Sequence, residues 1–124
     1  VIWDKVAFNT AMNTICALLE ITPKTIENNK YLKKFALNVA KETCTIGKAF
    51  GIKINEMNIA NNIKLSCKEH GEHKPSMLQD VLLKKKTEID SLNGEVVRIG
   101  SKLKMSTPLN TSLFNLIKAK ENNY

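Results

Sequence analysis

Apolar side chains recur at helical spacing along nearly the whole chain, and no segment alternates apolar with polar over strand length. The first block runs from about Trp3 to Glu20. There Val6, Phe8, Ala11, Met12, Ile15, Leu18 and Leu19 cover most of the circumference, which predicts a central, largely buried helix. Pro23 ends or restarts the path, and Asn28-Asn29 offers an N-cap to a long second helix from about Lys30 to Phe50. Its expected inner faces carry Tyr31, Leu32, Phe35, Val39, Cys44 and Ile46, and Gly51 stops it as a C′ glycine. A third helix is expected from about Asn55 to Lys68, with Met57, Ile59, Ile63 and Leu65 as core candidates. After a loop at 70–74, Ser76 is read as the cap of a fourth helix. A fifth starts near Thr87 and runs to about Leu103. The last covers about Leu109 to Lys120 after Thr107-Pro108, with Leu113, Leu116 and Ile117 inward. The pattern predicts an all-α, multi-helix domain.

Composition narrows this. At 124 residues there is room for one domain with its own core. Aromatics make up only 6%, so that core must be aliphatic, and five Gly with three Pro leave few stops, which favours long helices. Gly94 falls inside the fifth pattern, where glycine costs about 1 kcal/mol against alanine; its presence predicts close approach of another backbone or a ligand. The helix pattern begins almost at once, at Trp3-Asp4-Lys5, and the expectation is a piece of a longer protein.

The formal net charge is +7, and Arg98 is the one arginine. A basic balance suits an anionic partner: nucleic acid, a membrane surface or a phosphorylated small molecule. Scattered lysines, including Lys84-Lys85-Lys86, read first as a solvated surface, because nucleic-acid readers favour arginine. Three widely spaced cysteines, Cys16, Cys44 and Cys67, are no disulfide framework. They suggest reduced thiols and a cytoplasmic location. No signal peptide is read at the start. The apolar run 15–19 is far short of the roughly 20 residues that span a bilayer.

Candidate chemistry begins with Lys5, Asn9 and Asn13, spaced i, i+4, i+8. They drift by only about 80° and form one stripe on the helix expected to be most buried. Periodicity leaves two readings open, a polar edge facing water and the lining of a cleft. Ser76 and Glu88 read equally as a helix cap and a first-turn acid. Cys67, His70 and His73 lack a fourth ligand and the usual zinc spacing, so no metal site is assigned. No Gly-x-Gly-x-x-Gly follows a strand anywhere, so no dinucleotide-binding Rossmann unit is expected in this chain.

Several stretches taken together are more specific. Pro75-Ser76-Met77-Leu78-Gln79-Asp80, Thr87-Glu88-Ile89-Asp90 and Leu92-Asn93-Gly94-Glu95-Val96-Val97 resemble the carboxyl-terminal domain of ketopantoate reductase (2-dehydropantoate 2-reductase). The Lys5-x3-Asn9-x3-Asn13 stripe and Thr107-Pro108-Leu109-Asn110 with Leu113 extend the resemblance over nearly the whole chain. It implies that residues 1–124 form the helical substrate domain of a two-domain dehydrogenase, inactive alone, with the NADPH-binding Rossmann domain outside this chain. The implied reaction reduces 2-dehydropantoate to pantoate, towards pantothenate and coenzyme A. Lys5 is implied as the general acid and Glu88 as a catalytic carboxylate holding substrate and lysine. Asn9, Asn13 and Ser76 are implied to bind substrate, Ser76 at its carboxylate. Asp80 and Asp90 are read as structural, pairing with lysines or capping. Under this reading the partners are a keto acid and the missing domain, not nucleic acid or membrane, and the uncovered cleft face favours self-association, a homodimer among the possible states. The rival readings are a reductase of the same architecture acting on another 2-keto acid, and a non-catalytic basic helical module that binds nucleic acid or a partner helix with salt-sensitive affinity.

Overall fold

The computed structural model describes residues 2–124. Seven α-helices and one short 3₁₀ turn follow in order: α1 (Ile2–Leu19), α2 (Pro23–Glu27), α3 (Lys30–Ala49), α4 (Glu56–Glu69), α5 (Ser76–Leu82), the 3₁₀ turn Ile89–Ser91, α6 (Asn93–Lys102) and α7 (Pro108–Asn122). No strand is present among the described residues, and none of their helices is long and apolar enough to cross a membrane.

Helix α1 is the axis. From Thr10 to Ala17 every residue is buried, and α3, α4, α5 and α7 all pack on it. Five of these eight residues are apolar, and Thr10, Asn13 and Thr14 are the polar ones. The main core gathers Ala11, Met12, Ile15 and Cys16 with Ile26, Val39, Cys44, Ile59, Ile63 and Leu113. A second cluster joins Ala17 to Met77, Val81, Ile89, Leu92 and Ile117. Several helix bounds follow the expected signals. Asn29 Oδ1 accepts from the backbone N–H groups of Tyr31 and Leu32 at 3.0 and 3.1 Å. Asn55 does the same for Met57 and Asn58, which makes it the cap of α4 and not its first residue. Gly51 closes α3 at φ +92°, with Ile52 N–H bonded to Gly47 O and Gly51 N–H to Lys48 O, a Schellman ending.

Other expectations are corrected. Tyr31, Met57, Leu65 and Leu116 are 75%, 72%, 53% and 51% exposed and lie outside the core; each sits at the margin of an apolar stripe, where spacing alone does not separate wall from surface. The expected helix 87–103 is broken at Leu92, whose φ −111° and ψ −96° are not helical. Ser76 is the first residue of α5, after the cap position at Pro75, and makes no capping hydrogen bond. The scarcity of glycine misled the count of stops. Glu20, Lys84 and Lys104 end α1, α5 and α6 in the left-handed conformation, at φ 55°, 57° and 56°. Each ending carries a six-to-one hydrogen bond: Ile21 N–H to Cys16 O, Lys85 N–H to Asp80 O and Met105 N–H to Gly100 O. These residues do a glycine's work at a backbone cost of about 1–2 kcal/mol each.

Glycines serve close packing instead. A Cβ on Gly47 would stand 2.1 Å from Trp3 Nε1 and 2.4 Å from Ile54 Cδ1. The Trp3 indole occupies that space and donates its N–H to Thr43 O at 3.1 Å. A Cβ on Gly94 would meet Phe114 Cε1 at 2.9 Å and the backbone Ile89 O at 3.1 Å, so the nearest group is a side-chain ring of α7, not the backbone or ligand expected, with the backbone of the 3₁₀ turn next.

Two outcomes follow in chemical denaturation. Gly47→Ala should destabilise by about 1–3 kcal/mol through overpacking against Trp3. Lys104→Gly should stabilise by several tenths to about 1 kcal/mol by relieving the left-handed backbone. A neutral Gly47→Ala would mean that Trp3 does not sit where described.

Candidate active site

The stripe is built by the way α1 is wedged among its neighbours. Met12 and Cys16 enter the cluster that holds Ile59, Ile63 and Cys67 of α4. Val6 and Ala17 enter the cluster that holds Met77 and Val81 of α5. At 3.6 residues per turn, Asn9 and Asn13 fall between these two flanks. They therefore look out of the gap between α4 and α5. Asn9 is partly buried and Asn13 is 9% exposed. Lys5, a turn before Asn9, is exposed and lines a groove of about 350 Å³ with Asp4, Phe8, Asn62, Leu65, Ser66, Glu69 and His70. Asp4 Oδ1 in this groove is buried and has no hydrogen-bond partner, the only such side-chain atom among the described residues.

Ser76 opens α5, is exposed, and makes no cap hydrogen bond. Glu88 is exposed on the link into the 3₁₀ turn. Its neighbour Thr87 is fixed from α7: Glu121 Oε2 accepts from Thr87 N–H at 2.8 Å and from its hydroxyl at 2.6 Å. No ion pair joins Lys5 to Glu88 among the described residues; the nearby acid Asp90 pairs with Lys118 at 3.3 Å. The side chains of Lys5, Asn9, Asn13, Ser76 and Glu88 make no hydrogen bond to another described residue, whereas the hydroxyls of Thr10, Thr14 and Thr87, next to Asn9, Asn13 and Glu88, are all hydrogen-bonded. Lys84, Lys85 and Lys86 are all exposed, a solvated turn after α5.

Sequence reasoning missed the polar cluster behind the stripe. Thr14 Oγ1 donates to Asn93 Oδ1 at 2.6 Å. Asn93 Nδ2 donates to Thr10 O at 3.1 Å and to Asn110 Oδ1 at 3.0 Å. Asn110 Nδ2 donates to Glu42 Oε1 at 2.9 Å and to Thr43 Oγ1 at 3.2 Å. The Glu42 carboxylate also accepts the backbone N–H groups of Leu109 and Asn110 at 3.0 and 2.8 Å, capping α7 just after Pro108. Thr10 gives its hydroxyl hydrogen to Ala7 O, so in the 2.9 Å Thr10–Thr43 contact Thr43 is the donor. A signal was present: Asn93-x2-Val96 and Asn110-x2-Leu113-x3-Ile117 place each amide in an apolar stripe, where an unmatched polar group costs about 1–3 kcal/mol.

The three thiols are no nucleophiles. Burial pushes Cys16 up to about 12, with Cys67 nearby adding to it. Burial, then Glu56, pushes Cys44 up to about 11. Burial, then Glu27, raises Cys67. Among the described residues no three His, Cys, Asp or Glu side chains gather into a metal-holding group.

Helices wrapped on a polar-striped axis, with one face tied by hydrogen bonds and the next left open, define an all-helical domain with an uncovered polar stripe. Residues 1–121 match the family model described as "Ketopantoate reductase PanE/ApbA C terminal". The 2-dehydropantoate 2-reductase of Pyrobaculum aerophilum is 38% identical over 119 residues, covering 96% of this chain and 42% of that enzyme. The Pyrococcus horikoshii enzyme of the same name is also 38% identical over 119 residues, covering 96% of this chain and 39% of its own length. Among solved structures, D-mandelate dehydrogenase with NADH and anilino(oxo)acetate superposes with a TM-score of 0.93 at 26% identity, over 98% of this chain and 40% of that one. A PanE/ApbA family ketopantoate reductase from Ralstonia eutropha gives 0.90 at 26% identity, over 98% and 40%. The chain belongs to the ketopantoate reductase carboxyl-terminal domain family and spans about two-fifths of the length of these relatives.

The thiols generate a pH prediction. Cysteines with raised pKa values stay protonated in the fold and ionise first in the unfolded chain. Their contribution to stability is complete below the unfolded value of 9.0 and is lost as pH rises towards about 12. The denaturation midpoint should therefore fall between about pH 8.5 and about pH 10.5, and less steeply in Cys16→Ala.

Proposed function

We propose that this chain is the substrate domain of a two-domain reductase that converts 2-dehydropantoate to pantoate. The observation that carries the reading is the contrast on α1. Its back-face threonines are fully hydrogen-bonded. The Lys5–Asn9–Asn13 side chains, on the next face, make no hydrogen bond or ion pair with another described residue. Polar groups aligned this way at a gap between helices suit a ligand that brings its own acceptors and donors.

In this reading the keto acid lies along the stripe. Lys5 donates a hydrogen bond to the C2 oxygen and hands it a proton as the oxygen becomes an alkoxide. Asn9 and Asn13 fix the polar groups beside C2, and the free hydroxyl of Ser76 meets the carboxylate. Glu88 holds the substrate and, across it, the ammonium of Lys5. The chemistry left to a bound nicotinamide, NADPH by family resemblance, would be delivery of a hydride to C2. The described residues offer no strand, glycine turn and helix to cradle a dinucleotide, so that group is assigned to a domain outside this chain. A second reading keeps the chemistry and changes the acid: the likeness to D-mandelate dehydrogenase favours testing aryl 2-keto acids beside 2-dehydropantoate.

In the full-length enzyme Lys5→Ala should lower kcat on the order of 10²-fold or more, with a smaller change in KM, because the ammonium acts mainly on charge that develops at the transition state. Asn9→Ala should act more on KM. Steady-state kinetics on folded protein decide this, and a Lys5→Ala kcat within about twofold of wild type would end the assignment of Lys5 as proton donor.

A further inference from the structure

We propose that Asn93 is a positioning residue: it clamps one turn of α1 from behind and so sets where Asn9 and Asn13 present their amides to substrate. The proposal rests on the reading of that stripe given under Proposed function and adds what holds the stripe in register.

The geometry is that of a two-point grip. Asn93 Oδ1 takes the hydroxyl hydrogen of Thr14 at 2.6 Å, and Nδ2 gives a hydrogen to the carbonyl of Thr10 at 3.1 Å. Thr10 follows Asn9 and Thr14 follows Asn13 directly, and the gripped turn runs between them. Asn93 and Thr14 are both fully buried at 0% exposure, so no water competes for the grip. Apolar packing of α1 on α3, α4 and α5 is non-directional and resists small rotations or slides of the helix weakly. Two short hydrogen bonds to one amide fix both rotation and height.

The grip also has one orientation only. Asn110 Oδ1 can only accept, which forces the remaining Nδ2 hydrogen of Asn93 towards it at 3.0 Å. Asn110 is oriented in turn because Glu42 Oε1 accepts from its Nδ2 at 2.9 Å. A flip of either amide would set acceptor against acceptor. The donor direction thus runs from Thr14 through Asn93 and Asn110 to the carboxylate, and α1, α6, α7 and α3 are tied in that order. None of these four side chains faces the gap in which Asn9 and Asn13 lie.

The test uses the full-length reductase, with KM measured separately for the keto acid and for the nucleotide. Thr14→Val keeps volume and removes the donor to Asn93. It should raise the keto-acid KM about tenfold while the nucleotide KM stays within about twofold, and Thr14→Ser, which keeps the hydroxyl, should restore the wild-type value to within about twofold. In an Asn13→Ala background the effect of Thr14→Val should shrink to less than about threefold, because the amide it positions is gone. Should Thr14→Val fold poorly, Asn110→Ser, which withdraws the acceptor orienting Asn93, should give the same substrate-selective rise. The proposal is overturned if Thr14→Val and Asn110→Ser lower the melting temperature or the active fraction and leave the keto-acid KM unchanged. It is overturned equally if both KM values rise together. If Asn13→Ala itself leaves the keto-acid KM unchanged, the stripe is not the substrate site and the functional reading falls with the clamp; an effect of Asn13→Ala without one of Thr14→Val overturns the clamp alone.

Discussion

A buried chain of hydrogen bonds from Thr14 through Asn93 and Asn110 to Glu42 decides how the helices of this domain are set against one another. Its members come from α1, α6, α7 and α3, and all but Glu42 are buried. Each group would cost about 1–3 kcal/mol if it were desolvated without its partner. An alternative packing of the same helices would leave several unmatched at once. Apolar contact drives the collapse, but the amides and the carboxylate admit one arrangement of it. Glu42 carries a second duty in the same place, since it accepts two backbone N–H groups at the start of α7. One carboxylate thus fixes a helix terminus and ends the donor chain.

The consequence appears on the adjoining face of α1, about 100° round the helix. With Thr10 and Thr14 held on their own face, the adjoining one presents Lys5, Asn9 and Asn13 to the gap between α4 and α5. These groups engage no other side chain among the described residues. The same pattern holds at Glu88, which the structure leaves free while Glu121 holds its neighbour Thr87. In both places hydrogen bonds hold the residue next to a polar side chain that makes none.

Small residues let the helices come close enough for this. Gly47 admits the Trp3 ring and the hydrogen bond from its indole to Thr43 O, on the residue whose hydroxyl meets both Thr10 and Asn110. Gly94 admits Phe114 next to Asn93. Gly47 and Gly94 thus serve helix contacts near the polar chain, Gly51 closes α3, and three other helix ends fall to Glu20, Lys84 and Lys104 in the left-handed conformation.

By itself the sequence determined the helical class, the central place of the first helix, the cap at Asn29, the glycine stop at Gly51 and the polar stripe Lys5–Asn9–Asn13. These depend on local propensity and on the 3.6-residue period, which a linear chain displays in full. The family, too, was legible in its short motifs. Only the tertiary structure decided which of two polar stripes on α1 faces inward, because Thr10 and Thr14 become structural through partners 79 or more residues away for Thr14 and 33 or more for Thr10. It also decided that Asn93 and Asn110 belong to the core, that Leu65 and Met57 do not, and that the stretch from Thr87 breaks at Leu92. Each of those outcomes is set by what meets a side chain across space, and spacing along one helix carries no record of that.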